Sequence, residues 1–204
     1  MIKKISYIKY LVFHPFDGFY DLKHEKRGSG AVAALILASL ILVSILQKQL
    51  DGFTYNLHDP EDLNVFAEIA GVLVPYGLFC IANWAVTTLM DGEGGLKDIF
   101  IYTAYALSPA VFLGVVFLIC SNIFSLDEVA FLQFINVLST LWVAFLMFVG
   151  TLTTHQYSGT KTFVAFLIIL FCIILMLFTF TLFFTLIDRV IEFINTIVME
   201  LSLR

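Results

Sequence analysis

Residues 28–47 read GSGAVAALILASLILVSILQ, a run of 20 residues without a charged side chain. A helix needs about 20 largely apolar residues to cross a bilayer, because each residue advances it by about 1.5 Å. Four more uncharged runs of sufficient length follow, at residues 69–90, 99–126, 129–154 and 162–187. The sequence therefore predicts an all-α integral membrane protein, built as a bundle of five transmembrane helices.

The composition agrees with this fold class. Apolar residues make up 60% of the 204 positions, and the mean hydropathy is +0.97. A water-soluble globular protein has no stable arrangement for so much apolar surface, so that class is excluded. No repeat or flexible linker divides the chain. We expect a five-helix transmembrane domain over residues 30–187, an interfacial segment over 1–29 and a tail over 188–204.

The distribution of Lys and Arg predicts the orientation. Eight of the 11 precede the first span or lie in the connections after the second and fourth spans. The positive-inside rule then places the N-terminus in the cytoplasm and the C-terminus outside. Helical spans place a bacterial protein of this kind in the cytoplasmic membrane, since outer-membrane proteins cross as strands.

The segment before the first span is aromatic and is interrupted by Pro15 and Gly18. It ends in a basic run at residues 23–27, whose cations suit lipid phosphates. This pattern predicts an elbow on the cytoplasmic surface, either anchored among the headgroups or docked to a soluble partner. Its candidate contact residues are Phe13, Pro15, Phe16, Asp17, Phe19 and Tyr20.

Apolar residues in the tail recur every three or four positions, which predicts an amphipathic helix. Asp188, Arg189 and Glu192 occupy its other faces. This helix either continues the fifth span beyond the bilayer or lies against a partner subunit. Its apolar positions are Ile187, Val190, Ile191, Ile194, Ile197, Val198 and Leu201.

Small residues at four-residue spacing predict which spans pack closely, because they let helix backbones approach each other in lipid. The first span has the row Gly30, Ala34 and Ala38, and the third has the row Ala106, Ala110 and Gly114. We therefore expect these two spans near the centre of the bundle. The fifth span is rich in phenylalanine and is expected at the periphery.

The deep polar residues lie toward the predicted cytoplasmic half of the second and third spans. They are Asn83, Trp84, Thr87, Thr88, Tyr102, Tyr105 and the Ser108-Pro109 pair. No ionisable Asp, Glu, Lys, Arg or His accompanies them at mid-bilayer depth. That absence weighs against ion coupling. Two interpretations remain open, a polar inlet and interhelical hydrogen bonding that fixes the bundle.

The connection between the second and third spans, Asp91-Gly92-Glu93-Gly94-Gly95, has three glycines in four positions. Glycine admits backbone angles closed to other residues, so the loop is predicted to turn tightly. Its acidic residues would repel a phosphate, and it matches no nucleotide-binding motif. It is expected to form a tight helical hairpin, with contact to a cation or a partner as the alternative.

Other site chemistry finds no support in the sequence. Neither a Gly-x-Ser-x-Gly nor a His-Glu-x-x-His motif occurs, and the three cysteines lie far apart inside spans. The net charge of −5 does not suit nucleic acid. We predict no catalytic, cofactor-binding or metal-binding residue. The acidic loop over residues 48–64, with Asp51, Asp59, Glu61 and Asp62, is expected to be a solvated connection.

These features together resemble the Yip1-domain family, and in particular its short bacterial branch. The resemblance rests on His14-Pro-Phe-Asp-Gly-Phe-Tyr20, on Asn83-Trp84 running into the loop 91–95, and on Tyr102 through Pro109. Eukaryotic relatives associate with small GTPases through a longer N-terminal region, so that role is not carried over. The resemblance implies an accessory membrane protein, in some relatives encoded beside carbohydrate ABC transporters, and supplies no catalytic residue.

Two functional hypotheses follow. The first is a non-enzymatic accessory or scaffold subunit that contacts other integral membrane proteins, such as ABC transporter permeases, within the lipid bilayer. The second is a small stand-alone transporter or channel. Its inlet begins near Asn83, Thr87, Tyr102 and Tyr105. A membrane enzyme would need an active site, for which Glu93, Asp98 and His155 are the best candidates.

Overall fold

A computed structural model describes residues 2–52 and 63–202, and the described part is helical apart from short connections. Residues 53–62, with Asp59, Glu61 and Asp62 of the acidic loop, lie outside the described residues. A short 3-10 helix spans Leu126–Glu128. The α-helices are α1 (Ile2–Phe13), α2 (Pro15–His24), α3 (Gly30–Leu50), α4 (Val65–Leu89), α5 (Leu96–Ala106), α6 (Ser108–Ser121), α7 (Val129–His155) and α8 (Gly159–Ser202).

Five helical stretches within the described ranges are long and apolar enough to cross a membrane, which confirms the predicted fold class. They are α3, α4, α5 together with α6, α7, and α8. The third span is interrupted at Leu107 and ends at Ser121, whereas the sequence predicted an unbroken run over 99–126. Pro109 has no N–H to continue the helix, and the Ser108 hydroxyl donates to the Tyr105 carbonyl at 2.7 Å.

The predicted N-terminal elbow is a hairpin of α1 and α2 that bends at His14. The Tyr7 hydroxyl donates to the Gly18 carbonyl at 2.5 Å, across the two helices. A Cβ at Gly18 would lie 2.8 Å from the Leu11 Cα, so only glycine permits this spacing. Leu11 and Phe19 are fully buried, which shows that the hairpin packs on the bundle.

The centre of the bundle is α5, whose residues from Ile101 to Ala106 are all buried, between α3 and α7. The third span lies near the centre, as predicted, and Gly114 of its small-residue row faces α3. A Cβ at Gly114 would lie 2.7 Å from a Val43 methyl group, and the Gln47 amide donates to the Gly114 carbonyl at 3.2 Å. The prediction that the row of the first span packs within the chain is wrong, because Gly30, Ala34 and Ala38 are all exposed.

The fifth span is peripheral, as predicted, and it is much longer than a bilayer requires. α8 runs without interruption for 44 residues, or about 66 Å at the usual rise per residue. Its first half packs on α4 through Ile169 and through the Phe166 ring, 6.0 Å from Phe79. The predicted tail helix is thus a direct continuation of the fifth span. Beyond residue 176 its described side chains are exposed, apart from the partly buried Ile187.

Candidate functional site

The glycine-rich loop, the N-terminal hairpin and the end of α7 meet at one end of the bundle. The sequence analysis singled out the loop, Asp91 to Gly95, and named Thr87 and His155 for other roles, but did not place these side chains beside the loop. Lys23 reaches it from α2, His155 ends α7, and Tyr157 follows in the short connection to α8. We call this group, with Thr87 of α4, the loop cluster.

The loop is held by hydrogen bonds to its neighbours. The Gly92 N–H donates to the Thr87 carbonyl at 2.8 Å. The Tyr157 hydroxyl points to the same carbonyl at 3.2 Å and to the Met90 carbonyl at 3.1 Å. The Gly94 N–H donates to His155 Nδ1 at 3.3 Å. The loop therefore covers the imidazole and is tied to α4 and α7 at once.

Close contact, and not unusual backbone angles, explains the glycines. None of the described glycines has a positive φ, whereas Asp91 has φ of 56°. A Cβ at Gly92 would lie 2.5 Å from His155 Nδ1, and one at Gly94 would lie 2.7 Å from the same ring. The prediction of a tight hairpin is confirmed, but its stated reason, that the glycines need special angles, is wrong.

Lys23 connects the N-terminal hairpin to this cluster. Its ammonium donates to the Thr154 carbonyl at 2.7 Å and lies 3.5 Å from a Glu93 carboxylate oxygen. On the other side of the loop, the Lys161 ammonium lies 4.2 Å from the centre of the Tyr157 ring. Burial, followed by the negative charge of Asp91, raises the pKa of the Tyr157 phenol, which keeps its O–H available as a donor.

A second polar group lies deeper in the bundle. The Asn83 amide donates to the Tyr102 hydroxyl at 2.5 Å, and Tyr102 shares a hydrogen bond of 2.8 Å with Thr151. All these side chains are buried, and the Phe19 ring packs edge-on against Tyr102 with centres 6.2 Å apart. Interhelical hydrogen bonding is therefore confirmed here. Asn83, Tyr102 and Tyr105 are all fully buried, so none of them lines an open inlet in this structure.

The other candidate residues are placed differently. Phe13, Phe16 and Tyr20 are 68, 53 and 50% exposed, whereas Phe19 is buried and so does not belong to an exposed aromatic surface. Trp84 is 44% exposed on the outside of α4. Pro109 is buried at the break between α5 and α6 and touches neither polar group. Pro15 begins α2, and Asp17 lies in its first turn.

Sequence reasoning missed the contribution of α7. Thr151 and His155 lie four residues apart and share one helix face, as Asn83 and Thr87 do on α4. This matching spacing at the ends of two spans is the sequence signal from which the site could have been found. Four buried side-chain atoms have no hydrogen-bond partner among the described residues: Asn83 Oδ1, Thr103 Oγ1, the Tyr105 hydroxyl and His155 Nε2.

The chemistry of the site is that of a structural clamp. Asp98, one of the enzyme candidates, accepts the Gly95 N–H at 3.1 Å and so caps α5. Glu93 pairs with Lys23, and His155 accepts from the loop. Over the described ranges, no group of three or more His, Cys, Asp or Glu side chains is placed to hold a metal ion. The three cysteines are free thiols.

Comparison with known families gives one match. The family model described as the Yip1 domain matches residues 9–182, which include the loop cluster and the deeper polar group. Comparisons with curated proteins and with solved structures gave no match. The matched region ends within α8, so the exposed distal part of that helix lies beyond it.

Proposed function

The chain belongs to the Yip1 domain family, a family of membrane proteins, and from this premise we propose that it is a non-enzymatic accessory or scaffold subunit of a membrane protein complex. The polar residues of its bundle are engaged with one another, as the loop cluster and the Asn83–Tyr102–Thr151 group illustrate. Such an interior supports a rigid platform. The surfaces left free are those that partners would contact.

The observation that carries this proposal is the distal half of α8. The hydrocarbon core is about 30 Å thick, so a straight helix of about 66 Å extends well beyond it. In that extension the apolar residues form one stripe, and the Arg189–Glu192 ion pair lies on another face, with 3.3 Å between the charged atoms. Among the described residues, the side chains of the stripe are exposed apart from the partly buried Ile187. Its described members are Ile187, Val190, Ile191, Ile194, Ile197 and Val198.

An apolar stripe of this length outside the hydrocarbon is stabilised when another helix covers it. By the positive-inside rule the extension lies on the extracytoplasmic side. At the opposite end of the bundle, the exposed Phe13, Phe16 and Tyr20 offer a second surface, on the cytoplasmic side. The partner we propose is an integral membrane protein, and the resemblance to bacterial relatives favours permeases of carbohydrate ABC transporters.

Co-purification tests the proposal. The wild-type protein would be isolated from its native membrane in mild detergent, beside an Ile191→Asn, Ile194→Asn double variant and a matched Asn195→Gln, Thr196→Ser control on the polar face. We expect permease or ATPase subunits in stoichiometric amount with the wild type and the control, and their loss from the stripe variant. All three should melt at the same temperature, because the Ile191 and Ile194 side chains are 51 and 52% exposed.

A clean single species from the native membrane would contradict the accessory role. Flux by the purified protein in liposomes would then be measured, as the transporter hypothesis requires. No observation favours that second function at present, because Asn83 and Tyr102 are buried and bonded to each other.

A further inference from the structure

A cavity of about 450 Å³ lies among α3, α4, α6 and α7, toward the end of the bundle opposite the loop cluster. Its volume falls in the range of about 300 to 1,000 Å³ that is typical of small-molecule sites. Its walls include Leu40 and Gln47 of α3, Gly71 and Tyr76 of α4, and Asn136 of α7. None of these residues belongs to the loop cluster described above.

A proline inside α4 and the break between α5 and α6 both face this cavity. Pro75 lies inside α4 and has no N–H, so the Gly71 carbonyl four residues earlier loses its intrahelical donor. Leu107, at the break between α5 and α6, also lines the space. Irregular backbone at membrane depth is tolerated only where it is buried in protein or lines a cavity, because lipid satisfies no hydrogen bonds. The cavity wall therefore includes a backbone carbonyl, that of Gly71, without its usual helical N–H donor.

The polarity of the wall changes with depth. Gln47 lies about 5 Å from the end of α3, and Asn136 lies about 10 Å from the start of α7, on the same side of the bundle. The deeper wall is mostly apolar and reaches Met147, about 27 Å along α7. Its Tyr76 hydroxyl donates to the Phe100 carbonyl at 2.6 Å. At the shallow end, Ser44 donates to a Glu68 oxygen at 2.6 Å, and Glu68 also pairs with Lys48.

This order, polar near the membrane surface and apolar toward the centre, is that of a lipid molecule in the adjacent leaflet. We propose that the cavity binds one acyl chain of a membrane lipid, with the polar part of that lipid near Asn136, Ser139 and the Gly71 carbonyl. Its headgroup then lies beside the Lys48–Glu68 pair. The binding site is independent of the partner surfaces on α8 and on the N-terminal hairpin.

Two glycines of α4 provide a matched test. A Cβ at Gly71 or at Gly77 would meet no atom within 4 Å, so both positions accept a larger side chain, but only Gly71 lines the cavity. Wild type, Gly71→Leu and Gly77→Leu would be purified in mild detergent, and bound phospholipid quantified by mass spectrometry. We expect stoichiometric lipid with the wild type and Gly77→Leu, and loss of that lipid from Gly71→Leu.

A second pair removes polarity and leaves the volume nearly unchanged. Asn136 lines the cavity, whereas Gln133, one turn earlier on α7, does not. Delipidated protein would be titrated with dioleoylphosphatidylethanolamine in detergent micelles while its melting temperature is followed. We expect the lipid to raise the melting temperature of wild type and Gln133→Leu, and to do so less for Asn136→Leu. Equal lipid content in the two glycine variants would overturn the proposal. So would a wild type that carries no bound lipid and whose melting temperature the added lipid does not raise.

Discussion

Replacing Gly92 by serine tests whether close contacts hold the glycine-rich loop. The new Cβ would lie 2.5 Å from His155 Nδ1, 2.7 Å from the Tyr157 hydroxyl and 2.9 Å from the Thr87 carbonyl. The carbonyl belongs to the α4 backbone and cannot rotate away, so the loop must move. The same substitution at Gly95 is the control, since a Cβ there meets only an Asp98 oxygen at 3.5 Å, an ordinary contact.

The cost follows from the contacts that must yield. Overpacking in a close-packed region costs about 1 to 3 kcal/mol. Moving the loop also weakens the bonds that Gly92 and Tyr157 make to the Thr87 carbonyl, at a net cost of about 1 kcal/mol. We expect Gly92→Ser to lower the free energy of unfolding by about 2 to 4 kcal/mol. Gly95 is the N-cap of α5, where serine is preferred, so its variant should be as stable as the wild type or slightly more so.

Thermal unfolding in detergent, followed by intrinsic fluorescence, measures the difference. For a chain of this size, each kcal/mol shifts the melting temperature by about 2 to 4 °C, so Gly92→Ser should melt roughly 4 to 16 °C lower. Monodisperse elution on size exclusion confirms that both variants are folded before heating. If Gly92→Ser melts at or above the temperature of Gly95→Ser, the conclusion that close contacts hold the loop is wrong.

Three further predictions concern other polar contacts. Lys23→Met should lower the free energy of unfolding by about 1.5 to 3 kcal/mol, because it removes the charged donor to the Thr154 carbonyl. Glu93→Gln should lower it by less than about 1 kcal/mol, because the ion pair with Lys23 is exposed on the Glu93 side; chemical denaturation measures both variants. Asn83→Leu should cost about 1 kcal/mol in the same assay and create no flux in liposomes. Burial raises the pKa of the Asp51 carboxyl, which accepts a hydrogen bond from the Ser121 hydroxyl. Between about pH 4, where the unfolded chain releases this proton, and the higher pKa of the folded protein, the folded protein binds more protons than the unfolded chain. The wild type therefore loses stability as pH rises through the pKa of the folded protein. The melting temperature of Asp51→Asn should rise relative to that of the wild type from pH 4 to pH 7, and a constant difference would refute the raised pKa of Asp51.

The candidate site was predictable only in part. The loop 91–95 and Asn83 stood out because glycine clusters and buried amides are rare in an apolar chain. Their neighbours did not, because Lys23 and Thr154 are 131 residues apart in sequence and meet only when α2 packs against α7. Phe19 was grouped with the exposed aromatics around it, yet its ring fills the space beside Tyr102. Pairings at such separation leave no local pattern.

Five membrane crossings, their order and the amphipathic continuation of the phenylalanine-rich fifth span were all predictable from the sequence. Length and hydrophobicity suffice for these features, because the bilayer imposes both. The packing faces of the helices became visible in the folded chain alone. An apolar side chain is equally stable against lipid and against protein, so hydrophobic periodicity does not mark the interior of a membrane bundle. For that reason the outward row at Gly30, the break at Leu107 and the cavity beside Gly71 emerged only from the folded chain.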